Sequence, residues 1–155
     1  VEELCREMAL AVAGDTRVTY QGQTVDFGPA WPRLPMAEGI AERTGIDITS
    51  VTELGALQEA IATAGLRVDR KGTWAKQVDE LFSELVQPLL VQPTFVTEYP
   101  VELSPLAKRI PGNQRFTERF EAFVVGFEVG NAFTELNDPF EQEQRFLEQG
   151  RALAA

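Results

Sequence analysis

Apolar residues recur at helical spacing in five stretches of the chain, and the clearest stretch predicts an amphipathic helix between Thr73 and Pro88. Its apolar positions are Trp74, Val78, Leu81, Phe82 and Leu85. Because these positions form one stripe, we expect the helix to pack that face against the core, and Pro88 ends it.

Weaker signals predict four more helices. The first runs from Val1 to Val12 before Gly14, and its apolar stripe consists of Val1, Leu4, Cys5, Met8 and Val12. A second lies between Pro35 and Arg43, and a third begins at Ser50 with a capping box to Glu53. The last follows the cap Asp138-Pro139 and is expected to bury Phe140, Phe146, Leu147 and Leu153.

Runs of aromatic and β-branched residues between these helices predict strands. Arg17–Tyr20 and Gln23–Phe27 form a hairpin in which Val18 faces Val25. Thr94–Tyr99 is a further strand. Together these elements predict one α+β domain, an antiparallel β-sheet with flanking helices.

The stretch from Glu118 to Asp138 predicts a hairpin that carries several carboxylates. A two-residue turn at Val125-Gly126 would pair Glu121 with Gly130, and Glu128 would lie diagonal to Glu121 at roughly 6–8 Å between Cβ atoms. Carboxylates at that separation repel each other unless one is protonated or a cation lies between them. Mg²⁺ is the predicted cation, because it takes oxygen ligands from carboxylates and phosphates.

The second strand of this hairpin has a conflict of phase. Asn131, Phe133 and Glu135 share one face of a regular strand, whereas Glu128 falls on the other. A β-bulge at Gly130 would add one residue and bring all four onto a common side. The patch would then combine an aromatic ring, an amide and two acids, which suits a positively charged small molecule. Unbroken pairing through Gly130 would contradict this prediction.

The same side chains have ordinary structural interpretations. Acidic pairs on exposed strands are usually solvated, and Glu135 fits a charge at the rim of a sheet. Phe133 alone is typical of a core position, and Glu98 and Tyr99 are interpreted as structural residues on a strand behind the hairpin. The residue pattern by itself leaves these alternatives open.

Long motifs in this region resemble a known family. The segment Arg119-Phe120-Glu121, followed by Glu128-Val129-Gly130-Asn131-Ala132-Phe133-Thr134-Glu135-Leu136-Asn137-Asp138, resembles the catalytic domain of class II lysyl-tRNA synthetases. The resemblance extends upstream through 92–100 and 103–109, and it includes Thr19-Tyr20-Gln21-Gly22 near the start. It covers essentially the whole chain.

The resemblance implies a ligase that uses ATP to activate L-lysine and then transfers the lysyl group to tRNA(Lys). It implies that Glu121 and Glu128 are the Mg²⁺ ligands that carry ATP. It further implies that Asn131, Phe133 and Glu135 bind lysine, with Glu135 facing the side-chain ammonium. The full-length enzyme of such a family is expected to be a homodimer.

The sequence departs from the family pattern in two respects. Val125-Gly126-Phe127-Glu128 stands where the family has Gly-Gly-Arg-Glu, so an arginine is missing beside the turn. The arginine-bearing ATP motifs and the anticodon-binding domain are also absent from the 155 residues, which begin with Val1. The chain is therefore interpreted as an interior part of the catalytic domain, and we expect it to be inactive alone.

Composition narrows the partners and the compartment. The 14 basic and 24 acidic residues give a net charge of −10, which repels phosphate backbones, so this chain alone is not expected to hold tRNA. The sequence has no histidine, which excludes histidine acid–base chemistry. A single cysteine, Cys5, and the lack of a long apolar run predict a cytoplasmic protein without a membrane segment.

Two alternatives remain open from the sequence. One is a related ligase that attaches lysine to a translation factor, although the Glu-Leu-Asn-Asp ending at 135–138 and the run Ser-Pro-Leu-Ala-Lys at 104–108 fit the tRNA enzyme better. The other is a non-catalytic lysine-binding or regulatory domain derived from a synthetase. Such a domain would keep the fold but would not activate lysine. The absence of the arginine-bearing motifs is predicted equally by this alternative and by truncation of a complete enzyme.

Overall fold

A computed structural model describes the backbone of residues 1–154 and the side chains of residues 1–151. The helices are α1 (Glu2–Ala13), α2 (Met36–Thr44), α3 (Leu54–Thr63), α4 (Trp74–Leu85) and α5 (Pro139–Ala154). The strands are β1 (Arg17–Tyr20), β2 (Gln23–Asp26), β3 (Arg33–Pro35), β4 (Thr94–Pro100), β5 (Phe116–Val124) and β6 (Phe127–Phe133). The α+β fold class is confirmed.

The strands form two separate sheets. β1 and β2 make a hairpin in which Val18 pairs with Val25, as predicted. The larger sheet has the order β3-β4-β5-β6, and all of its pairs are antiparallel except β3 with β4. The parallel pairing of β3 was not expected, because a three-residue strand beside prolines carries almost no sequence signal.

The main core lies between α4 and the large sheet. Val78, Leu81 and Phe82 of α4 are buried, and the ring of Phe82 lies 5.6 Å from that of Phe123 on β5. Thr73 caps the helix, since its hydroxyl oxygen accepts a hydrogen bond from the amide of Lys76. The strongest amphipathic pattern in the sequence therefore forms the helix that supports β5.

A smaller apolar cluster contains residues of β4 and β5 together with Trp31. The rings of Trp31 and Phe95 lie 5.1 Å apart, and Ala122 is fully buried beside them. Helix α1 reaches this cluster through Cys5, which is half-buried. The predicted helix and its end at Gly14 are confirmed, but most residues of its apolar stripe are exposed: Val1, Leu4, Met8 and Val12.

Two predicted details of other helices are also wrong. Ser50 does not cap a helix, because α3 begins only at Leu54 and the Ser50 hydroxyl donates to the carbonyl of Asp47. In α5 the expected apolar positions Phe140, Phe146 and Leu147 are exposed, and Leu153 lies outside the described side chains. Among the described side chains of α5, the buried one is that of Arg145, whose guanidinium donates to backbone carbonyls. The Asp138 cap is confirmed by its bond from the amide of Phe140.

The turn between β5 and β6 has the predicted two-residue form. Val125 and Gly126 both have positive φ, 51° and 73°, which matches the twist of a tight hairpin. The turn is held from outside, since the amides of Val125 and Gly126 donate to the carbonyls of Val91 and Leu90. Phe127, which follows the turn, packs edge-on against Tyr20 with the ring centroids 6.2 Å apart.

Among residues 1–154, no helix combines the length and the apolar character that crossing a membrane requires.

Candidate active-site face

A β-bulge interrupts the pairing of β5 with β6. Phe123 pairs with Glu128, and the next residue, Ala122, pairs with Gly130, so Val129 is the extra residue. The predicted bulge is thus confirmed one position earlier than expected. The predicted pairing of Glu121 with Gly130 is wrong, because the bulge places Asn131 opposite Glu121.

The shifted register brings the predicted residues onto one face of the sheet. Directly paired residues point to the same side, and Glu121 pairs with Asn131 while Arg119 pairs with Phe133. Glu128 joins this face, because its partner Phe123 lies two residues beyond Glu121 on β5. With regular pairing in place of the bulge, Asn131 and Phe133 would point to the side opposite Glu128.

Glu135 lies beyond the end of β6 in a segment that stays paired. The amide of Thr134 donates to the carbonyl of Glu118 at 2.9 Å, and the amide of Lys108 donates to the carbonyl of Thr134 at 2.7 Å. Glu135 itself forms an isolated bridge with Ala107. Pairing on both sides therefore keeps the backbone extended from Phe133 to Glu135, so the two residues occupy alternate positions of one extended segment. The Glu135 side chain is exposed.

Both carboxylate oxygens of Glu121 have hydrogen-bond donors. The hydroxyl of Tyr99 donates to Oε2 at 2.8 Å, and the guanidinium of Arg119 donates to Oε1. The Glu121 side chain is only 12% exposed. Each carboxylate oxygen has two lone pairs, so these bonds still leave acceptor capacity toward the open face.

Different neighbours of Glu121 shift its pKa in opposite directions. Burial raises the pKa of Glu121 above its ordinary value, and the negative charge of Glu128 raises it further. The hydrogen bonds from Tyr99 and Arg119 act in the opposite direction. Burial and the charge of Glu121 also raise the pKa of the Tyr99 hydroxyl, which therefore stays protonated and remains a donor.

The outer part of the face is open to solvent. Glu128, Asn131 and Glu135 are exposed, and Phe133 is 37% exposed. Among the described residues, no group of three or more acidic or cysteine side chains is arranged to hold a metal ion. Mg²⁺ nevertheless commonly binds with only one or two protein carboxylates, because the phosphates of a nucleotide and water molecules supply its other oxygen ligands.

Sequence reasoning missed two residues of this face. Tyr99 is confirmed on a sheet strand, but β4 lies beside β5 in the same sheet rather than behind the hairpin, and the Tyr99 hydroxyl reaches Glu121. The pairing of β4 with β5 shifts between Thr97 and Tyr99, where Glu98 has a φ of 60°, and no turn residue announces this shift. Arg119 had a usable signal, since its spacing of two from Glu121 places both on one strand face.

A mainly antiparallel sheet with flanking helices, which presents acids and an amide on one face, agrees with the class II aminoacyl-tRNA synthetase catalytic domain that the sequence motifs resemble. A family model described as "tRNA synthetases class II (D, K and N)" matches residues 1–154. The chain belongs to this family.

Similar proteins carry the name lysine–tRNA ligase. The one from Chloroflexus aurantiacus is 68% identical over all 155 residues, and the one from Roseiflexus castenholzii is 64% identical over the same span. The Agrobacterium fabrum protein is 42% identical over 149 residues, which are 96% of this chain. The chain spans about a third of these relatives, 32% of the first two and 30% of the third.

Proposed function

We propose that this chain is part of a lysine–tRNA ligase, in which it supplies the face that binds lysine and the Mg²⁺ of ATP. The observation that carries the proposal is the bulge at Val129, because it sets Glu121 and Glu128 beside Asn131 and Phe133. Relatives named lysine–tRNA ligase, one of which is 68% identical over the whole chain, support the choice of substrate.

Glu121 and Glu128 are the proposed Mg²⁺ ligands. Both are carboxylates on one face, and Glu128 pairs with Phe123, two residues from Glu121 on β5, so the two groups are diagonal neighbours across the strand pair. When bound, Mg²⁺ neutralises phosphate charge during the displacement at phosphorus. Tyr99 and Arg119 hold Glu121 in place by their hydrogen bonds.

Asn131, Phe133 and Glu135 are the proposed lysine-binding residues. They occupy alternate positions of one extended segment, so an amide, a ring and a carboxylate follow each other at the spacing of a strand. Glu135 would bind the side-chain ammonium of lysine. A substrate without that charge would leave the acid unpaired in the complex, which favours lysine over neutral amino acids.

The proposed reaction has two transfers. The lysine carboxylate attacks the α-phosphorus of ATP, a carboxyl oxygen–phosphorus bond forms, and pyrophosphate leaves with the electrons of the broken bond. The lysyl group then passes from the adenylate to a tRNA hydroxyl, and AMP leaves. Positioning of the reactants accounts for much of the acceleration in such displacements, and the chain contributes a rigid surface for it.

Other features of the complete ligase belong to the same proposal. The net charge of −10 opposes a phosphate backbone, so tRNA contacts are proposed to come from other parts of the enzyme. A homodimeric, cytoplasmic enzyme is proposed in line with the class. Activity is proposed for the complete ligase and not for these 155 residues alone.

A segment exchange tests this proposal. We define the graft as the Chloroflexus aurantiacus ligase in which this chain replaces the aligned residues, all 155 of which have counterparts. We expect the graft to catalyse lysine-dependent exchange of pyrophosphate into ATP and to charge tRNA(Lys). A folded graft that lacks exchange would contradict the proposal. Lysine binding without exchange would instead favour the non-catalytic lysine-binding domain.

A further inference from the structure

The guanidinium group of Arg119 contacts both halves of the proposed site. One terminal nitrogen donates to Oε1 of Glu121, a proposed metal ligand. Its Nε donates to Oδ1 of Asn131, a proposed lysine-binding residue, at 3.3 Å. One side chain of this chain therefore links the carboxylate of the metal site to the amide of the amino-acid site.

The guanidinium group is itself held in a fixed position. Its Nη1 donates to the carbonyl of Leu103 at 2.9 Å and to the hydroxyl of Ser104 at 3.0 Å. Its plane lies over the ring of Tyr99, with the central carbon 4.6 Å from the ring centroid. The side chain is only 17% exposed, so these contacts are made largely away from solvent. A planar guanidinium group held by several hydrogen bonds is pre-organised to donate to Glu121 and Asn131.

These contacts fix the orientation of the Glu121 carboxylate and of the Asn131 amide. Glu121 is fixed at both oxygens, because Tyr99 donates to the oxygen that Arg119 does not bind. Asn131 must turn its Oδ1 toward Arg119, since a guanidinium group has donors only. Its Nδ2 donors are thereby left for other partners.

We infer that Arg119 is a positioning residue for lysine activation, which sets the Glu121 carboxylate and the Asn131 amide in one fixed arrangement together with the Tyr99 hydroxyl. This inference rests on the proposed function and adds two residues, Arg119 and Tyr99, that are not among the proposed ligands of the metal or of lysine. Replacement of a residue that orients a metal ligand through hydrogen bonds commonly changes metal affinity or activity about 10- to 100-fold.

A second buried arginine provides the matched control. Arg145 is 5% exposed, and its guanidinium donates to the carbonyls of Ser104 and Ala107 and to Glu141. It therefore stabilises the same loop that anchors Arg119, but none of its hydrogen bonds reaches Glu121 or Asn131. Replacing it tests what loss of loop anchoring does by itself.

The experiment compares Arg119→Lys, Tyr99→Phe and Arg145→Lys in the graft. Lysine affinity is measured by calorimetry without ATP or metal, and Mn²⁺ affinity is measured by electron paramagnetic resonance with a non-hydrolysable ATP analogue. Arg119→Lys keeps the positive charge but loses the planar set of guanidinium donors, so we expect both dissociation constants to rise about tenfold. Tyr99→Phe should weaken Mn²⁺ binding and leave lysine binding unchanged. Arg145→Lys should lower the melting temperature and leave both constants unchanged.

Several outcomes would overturn the inference. One is a folded Arg119→Lys graft with unchanged constants, and another is an Arg145→Lys graft in which both constants rise equally. If Arg119→Lys does not fold, an unchanged Mn²⁺ affinity in Tyr99→Phe decides against it. Failure of the unmodified graft to bind lysine would instead refute the proposed function, so the two failures are distinguishable.

Discussion

The hydroxyl of Tyr99 donates a 2.8 Å hydrogen bond to Glu121, which connects β4 to the candidate metal ligand on β5. Tyr99 is 3% exposed, so the bond is made inside the protein where each partner depends on the other. The shift in pairing at Glu98 precedes Tyr99, and the hydroxyl reaches the carboxylate from this irregular part of the strand.

Tyr99→Phe is expected to destabilise the graft. Loss of a hydrogen bond to a charged acceptor lowers the free energy of unfolding by about 1.5–3 kcal/mol, and the thermal transition should fall accordingly. Tyr20→Phe is the control, because the Tyr20 hydroxyl is at the surface and has only a 3.4 Å contact with Gln21. Equal melting temperatures for the two variants would show that the Tyr99 bond contributes no stability.

Glu128→Gln is expected to slow lysine activation without affecting folding. The side chain is exposed, so the substitution removes a metal-binding charge and little else. We expect the rate of pyrophosphate exchange in the graft to fall by about a hundredfold, as for loss of one group that stabilises transition-state charge. The lysine KM should change little. Glu59→Gln makes the same change at an exposed position of α3, and an equal loss of rate there would refute the ligand assignment.

Glu135→Gln is expected to impair the use of lysine rather than of ATP. A charge-assisted hydrogen bond to the ammonium would be lost, so the lysine KM should rise about tenfold or more. The ATP KM should remain that of the unmodified graft. Steady-state exchange kinetics with each substrate varied in turn provide the measurement, and an unaltered lysine KM would rule out the role of Glu135.

Val125→Asn is expected to stabilise the hairpin. Val125 is β-branched and has a φ of 51°, a conformation that such residues adopt only with strain, whereas Asn before Gly126 suits this turn. The gain should be about 1 kcal/mol, visible as a higher melting temperature of the graft. Val129→Asn makes the same chemical change at an exposed position outside the positive-φ region and should bring no gain.

The sequence predicts those elements whose patterns are local. The turn at Val125-Gly126, the pairing of Val18 with Val25 and the buried face of α4 are all confirmed, because each depends on neighbouring residues. The bulge was predictable for a similar reason. Glu128 and Asn131 cannot share a face without an added residue, and the only question was where it lies.

Features that depend on distant contacts were not predictable from local patterns. The stripe of α1 faces solvent, although its spacing is that of a buried helix face. Arg145 occupies the buried position on α5, because the carbonyls of Ser104 and Ala107 need a donor there. The contact of Tyr99 with Glu121 spans two strands and a shift in register, and neither residue reveals the other in the sequence. The roles of the candidate site residues stay predictions until the graft is measured.

The bulge at Val129 makes the register of β5 with β6 a condition of this site. Val129 is half exposed and has no partner across the strand pair, so many side chains should be tolerated there. Regular pairing through the same residues would instead place Gly130 opposite Glu121 and turn Asn131 and Phe133 to the other side of the sheet. In evolutionary terms the site depends on the register of two strands as well as on its own letters, and a change that favoured regular pairing would separate the two acids from the amide while every proposed ligand remained encoded.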